Sequence, residues 1–129
     1  MNHLMAVKKS YLQRQPEIVE NVSRALIEGL AFTWSPKSKS AVFKSVLRRL
    51  RITEIGFAEE GYQDLVTRGV LEKKPHPSLE GVRNVQRLML NSNPRVGEIK
   101  LEEIVDRSIM RKLDDSGFID RLYGLYLSK

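Results

Sequence analysis

The sequence predicts an all-α fold of five to six helices, with at most one short N-terminal strand. Three observations carry this. Apolar residues recur at helical spacing along almost the whole chain, and prolines and small polar residues stand where helices should begin. Only Leu4 to Val7 offers a run that a strand could use, and no second run exists to pair with it. The 129 residues suit a single domain spanning 1–129.

The first long helix is expected from about 16 to 34. Pro16 suits its opening position, and Glu17 and Glu20 lie near the positive end of its dipole. Ile18, Val22, Leu26 and Leu30 recur every four residues, flanked by Val19 and Ile27, so this helix should be largely buried. Ser35-Pro36 reads as an N-cap with proline behind it, starting a second helix whose core face is Val42, Phe43, Val46, Leu47 and Leu50. A third helix should run from Thr53 to about 68 with Ile55, Ala58, Tyr62, Leu65 and Val66 inward. Gly56 and Gly61 weaken it by roughly 1 kcal/mol each.

Gly69 to Pro77 reads as a loop, because Pro75 and Pro77 force an extended path. Ser78 then caps a fourth helix carrying Leu79, Val82, Val85, Leu88 and Met89, and Asn91-Ser92-Asn93-Pro94 stops it. A short helix follows over about 107–115, with Asp106 as cap and Ile109, Met110 and Leu113 inward. Gly117 fits a left-handed position after it, and Phe118, Ile119, Leu122 and Tyr123 begin a last turn or two.

Composition excludes several classes. The chain is 41% hydrophobic and 29% charged, apolar enough to offset the entropy of ordering, so a soluble globular domain is expected rather than disorder. No apolar run approaches the roughly 18 residues that a membrane span needs. The absence of cysteine removes disulfides, thiolate metal sites and cysteine nucleophiles together. The first fifteen residues hold no apolar core long enough for a secretory signal, so the chain as it stands carries no export address.

The net charge of +6 is unevenly placed. Residues 1–51 hold ten Lys/Arg against three Asp/Glu, densest at Lys44, Arg48, Arg49 and Arg51, while the remainder is nearly neutral. Such a patch can contact phosphates, or it can simply be the solvated face of a helix. The second reading is preferred, since no recognition-helix turn and few exposed aromatics accompany the cations.

Catalytic signals are missing. His3 and His76 lie far apart, and no metal-ligand spacing exists. Glu59-Glu60, Glu102-Glu103 and Asp114-Asp115 are adjacent pairs, which on a helix point about 100° apart and read as solvated faces. Ser78 near His76 has a sufficient role as a cap. Asn21-Val22-Ser23 matches a glycosylation sequon but falls mid-helix and reads as chance. Phe32 and Trp34 read as helix-end packing. The residues therefore point to no enzyme, no cofactor and no metal.

Longer blocks add a resemblance. KKSYLQRQPEIVENVSRALIEGLAF (8–32), EEGYQDLV (59–66), EKKPHPSLEGVRNVQRLM (72–89) and KLDDSGFIDRLYG (112–124) resemble the C-terminal part of bacterial solute-binding proteins of ATP-binding-cassette importers, the nitrate/taurine/sulfonate and thiamine-precursor class. The most specific pieces are Pro75, Pro77, Ser78, Glu80 and Gly81, and Ser116 to Asp120 with Leu122 and Tyr123. The resemblance implies the helical C-terminal part of a type II periplasmic-binding-protein lobe. Full-length relatives are two-lobed, periplasmic or lipid-anchored, hold a small solute between the lobes and partner a membrane permease. Their ligand contacts lie mostly outside the matching region, so no binding residue transfers to a position here.

The expectation is a truncated or stand-alone fragment that does not bind or deliver solute by itself. Its apolar helix faces, Ile18, Val22, Leu26 and Val46 among them, should pack on each other or on a second copy, giving a homo-oligomer. The alternative is a small basic helical interaction module that binds nucleic acid through Lys44, Arg48, Arg49 and Arg51.

Overall fold

A computed structural model describes residues 5–66 and 72–128. Among them the chain is all-α, with seven α-helices and no strand: α1 Lys9–Arg14, α2 Pro16–Trp34, α3 Lys39–Leu50, α4 Ile55–Val66, α5 Leu79–Leu90, α6 Ser108–Asp115 and α7 Phe118–Leu127. Short 3-10 turns occupy Pro36–Ser38, Pro94–Glu98 and Leu101–Glu103. The expected N-terminal strand is not formed over residues 5–7, where no partner strand lies alongside, and Leu4 falls outside the described residues. The six-residue α1 and the two turns after Pro94 were not anticipated.

α2 spans the residues expected of it, but it turns a different side inward. Val19, Ser23, Ile27 and Ala31 are buried, whereas Ile18, Val22 and Leu26 remain 46%, 45% and 54% exposed. Both sets recur every four residues, so periodicity alone cannot choose between them. The buried set contains Ser23 and Ala31, whose small side chains admit close neighbours, and α6 and α7 pack there. Ser23 satisfies its buried hydroxyl by donating to the Val19 carbonyl at 2.9 Å. Of the sequon, only Ser23 is buried, and Asn21 and Val22 are exposed.

The core is the junction of α2, α6 and α7. Ile27, Ala31, Leu113, Ile119 and Tyr123 form its centre, with Trp34, Ile109, Met110, Phe118 and Leu122 packed around them. Gly117 makes the junction compact. Its backbone is left-handed (φ 68), and its N–H donates to the Asp114 carbonyl at 2.8 Å, turning the chain from α6 straight into α7. α6 starts at Ser108 with Arg107, not the expected Asp106, at its N-cap position; Asp106 stands one residue earlier and accepts from the Ser108 N–H at 2.7 Å.

The α3–α4 pair leans on the end of α2. Phe43 and Tyr62 meet edge to face with ring centres 5.3 Å apart, and the Tyr62 hydroxyl donates to the Thr33 carbonyl at 3.0 Å. Ser35 is buried but caps nothing with its side chain: Pro36 opens a 3-10 turn, and α3 starts only at Lys39. α4 begins at Ile55 rather than Thr53, and its expected end near residue 68 lies outside the described residues. So do residues 69–71 of the expected loop. Leu50 and Ile55, expected inward, stand 66% and 63% exposed, because both fall at the outer corner between the two helices.

α5 is capped as anticipated, with Ser78 Oγ accepting from the Gly81 N–H at 3.0 Å. It packs mainly on the turns that follow it, where Gln86 Nε2 donates to the carbonyls of Val96 (2.7 Å) and Ile99 (2.9 Å). Leu88, expected inward, points to solvent opposite this contact. Because Leu113 is wholly buried at the α2–α6–α7 junction, Leu113→Ala should lower stability by about 2–5 kcal/mol, measured by chemical denaturation.

Candidate functional site

Lys44 and Arg48 lie at i and i+4 and so share one edge of α3; Arg49 is set about 100° around the helix from Arg48, and Arg51 follows the last helical residue. All four are exposed, and none makes an ion pair among the described residues. The neighbouring edge is apolar. Phe43 and Leu47 floor a shallow groove of about 560 Å³ closed by Ile55 and Pro36 and rimmed by Lys37, Lys39 and Lys44. Lys39 is committed to Glu59 at 3.1 Å and reaches over the Phe43 and Tyr62 rings, whereas Lys37 donates to the Ser128 carbonyl at 3.2 Å.

Arg51 closes α3 in the left-handed region (φ 55, ψ 38), alone among the described non-glycine residues. The Ile52 N–H donates back to the Leu47 carbonyl at 3.0 Å, a Schellman-type ending. Glycine is the usual residue at this position, because a side chain there costs roughly 1–2 kcal/mol.

A second cluster was missed by the sequence reading. The proline loop docks on the α6–α7 junction: Lys74 Nζ lies 2.7 Å from Asp114 Oδ1 and 2.9 Å from Asp120 Oδ1, and His76 Nε2 lies 3.0 Å from Asp114 Oδ2. Lys73 places its ammonium over the Trp34 and Tyr123 rings, at 5.0 and 5.8 Å from their centres. Arg107 donates to the Pro77 carbonyl at 3.0 Å. The longer blocks 72–89 and 112–124 thus meet, cation to carboxylate. Asp114-Asp115 was read as a solvated pair, yet Asp114 is half-buried beneath the loop while Asp115 is exposed. The legible signal was the complementary charge of Lys73-Lys74-Pro75-His76 and Asp114-Asp115.

Electrostatics follow from this geometry. The Lys74 hydrogen bond, then that of His76, holds the Asp114 carboxyl below its ordinary range. Asp114, then Asp120, raises the Lys74 ammonium above its own. Glu20 is lowered likewise by Lys112 and then Arg24, at 2.6 and 2.7 Å, which ties α6 to α2. Burial pushes the Tyr123 hydroxyl up to about 12.

His76 has a carboxylate partner, but the nearby serines are engaged: Ser78 Oγ accepts at the start of α5, and Ser116 Oγ donates to the Leu113 carbonyl at 3.0 Å. Among the described residues no group of three His, Asp or Glu side chains could hold a metal ion. A smaller cavity of about 160 Å³ between α5 and its following turns is lined by Val82, Val85, Met89, Val96, Ile99 and Leu101 and presents little but hydrocarbon. Comparison of the chain with protein-family models, curated proteins and solved structures found no match.

The pair of shifts sets a pH dependence. Asp114 stabilises the fold above the ordinary aspartate value of 3.8, and that contribution is lost as pH falls through its lower native value. The Lys74 contribution holds below 10.5 and is lost as pH rises through its higher native value. Asp114→Asn should therefore lower the melting temperature at pH near 7 and flatten the acid limb of the stability curve, measured by thermal denaturation between about pH 2 and 7.

Proposed function

We propose that the chain supplies the helical C-terminal part of a solute-binding protein of the ATP-binding-cassette importer class, and that this part does not hold or deliver solute by itself. The observation that carries the reading is the uncovered stripe of α2. Ile18, Val22 and Leu26 form a continuous apolar row facing away from the core, as expected of a helix whose other side covers a further layer. The whole chain exposes 9715 Å², against roughly 7,000 Å² for a compact monomer of its mass. The docking of the proline loop on the α6–α7 junction supports the same reading, since it joins two of the blocks that carry the resemblance.

An uncovered row of this size calls for a cover, and a second copy of the chain is the simplest one. No helix among the described residues is long and apolar enough to cross a membrane. The partner of a full two-lobed relative is an importer permease. The alternative, a basic interaction module for nucleic acid, is favoured by one observation: Lys44, Arg48, Arg49 and Arg51 make no ion pair among the described residues, although Lys39 of α3 pairs with Glu59. Retardation of duplex DNA or RNA that weakens steeply with salt would support it.

Two measurements test the main reading. Light scattering at high micromolar concentration should give a mass above that of a monomer, and Val22→Lys with Leu26→Gln should return the monomer without lowering the melting temperature. A monodisperse wild-type monomer would remove the homo-oligomer. A thermal-shift series with sulfonates, nitrate, bicarbonate and pyrimidines should show no stabilisation; a clear rise with any of them would contradict the absence of solute binding.

A further inference from the structure

The corner between α3 and α4 combines two features that its own fold does not use. Leu50, Ile55 and Phe57 stand 66%, 63% and 64% exposed where α3 ends and α4 begins, among the most exposed large apolar side chains of the described residues. Arg48, Arg49 and Arg51 are interleaved with them, and Lys44 continues the cationic edge one turn earlier, all without ion pairs among the described residues. The corner also keeps Arg51 in a left-handed backbone where glycine would be relaxed. Exposed hydrocarbon, four cations without an ion pair among the described residues and an arginine in a left-handed backbone coincide in one place, with Glu54 the one carboxylate between Arg51 and Ile55.

We infer that this corner docks on an anionic lipid bilayer. The exposed Leu50, Ile55 and Phe57, of which Ile55 also borders the α3 groove, insert at the boundary of headgroups and acyl chains, while the arginines and Lys44 lie among the phosphates. A fluid surface receives such side chains without a shaped receptor, whereas a protein partner needs a matching pocket for each anchor. Nucleic acid fits the cations but not Leu50 and Ile55, since its surface is polar and its bases stack on aromatic rings, not on aliphatic chains. The surface is peripheral, and it is independent of whether the solute-binding-protein reading stands.

The test is flotation of the full chain with phosphatidylcholine vesicles, with and without about 30% phosphatidylserine, at low and high salt. The chain should float only with the anionic vesicles and be released by salt. Arg48→Gln with Arg51→Gln should weaken partitioning about 25-fold, close to five-fold for each cation removed. Ile55→Ser with Phe57→Ser should also release it, and both double variants should keep the helical circular-dichroism spectrum. Arg51→Gly gives a readout that misfolding cannot mimic: the melting temperature should rise while vesicle partitioning falls.

Equal flotation with neutral vesicles, no flotation at low salt, or wild-type binding by the variants would overturn the inference. Retardation of duplex DNA that needs the arginines but ignores Ile55→Ser with Phe57→Ser, with no flotation, would assign the corner to nucleic acid instead. Binding of an acidic amphipathic peptide without flotation would assign it to a protein.

Discussion

A helix presents several stripes to its surroundings and can press only one against a given pair of neighbours. In α2 the stripe that meets α6 and α7 is the narrow one, Val19, Ser23, Ile27 and Ala31. Its small members set how closely the three helices approach, and Ile27 fills the space between them, wholly buried with Leu113 and Ile119. The rest of the molecule is arranged around this junction. The end of α2 carries the α3–α4 pair through Thr33, the turn at Gly117 places Tyr123, and the proline loop finds its anchor on the outer face of α6. The same choice leaves the wide stripe of α2 without a neighbour.

Around that small core, charged pairs hold register rather than add bulk. Glu20 receives Lys112 and Arg24 together, and Arg24 also lies 4.6 Å from the centre of the Phe118 ring. At the far end of α2, Tyr126 donates to Glu28 at 2.9 Å. These contacts fix both ends of α2 against α6 and α7, so the short helices cannot slide along it. Lys74 and His76 do the same for a loop that has no backbone ladder of its own. Each such pair keeps at least one partner in contact with solvent and is weak singly, and the registration comes from their placement along one helix.

Much of the fold could be read from local chemistry. Pro16, Ser78, Asp106, Asn93-Pro94 and Gly117 act through their own backbone neighbourhood, and each marks an element boundary within a residue or two. What could not be read was tertiary. Two stripes of α2 share one period, and which is covered depends on α6 and α7, about ninety residues away. Ser35 looked like a cap because of Pro36, but its burial beneath the end of α2 decided otherwise. The cationic patch was legible as charge, and the placement of Lys44 and Arg48 on one edge of α3 follows from helical spacing. Its company of exposed Leu50, Ile55 and Phe57 was hidden, because sequence alone assigned Leu50 and Ile55 to the interior. The Lys74–Asp114 link joined blocks that had been read separately.

The junction also orders events in time. Its halves are separated by most of the chain: the Lys112–Glu20 contact spans 92 residues and the Tyr126–Glu28 contact 98. At translation speeds of roughly 5–20 residues per second, α2 leaves the ribosome several seconds before α6 exists. During that interval both of its apolar stripes face the cytosol or a chaperone, and no local rearrangement can cover them. Closing so long a loop adds an entropic barrier of about 4 kcal/mol, which the core must repay at one stroke. Assembly of the core therefore waits until α6 and α7 have emerged, even when the earlier helices have already formed.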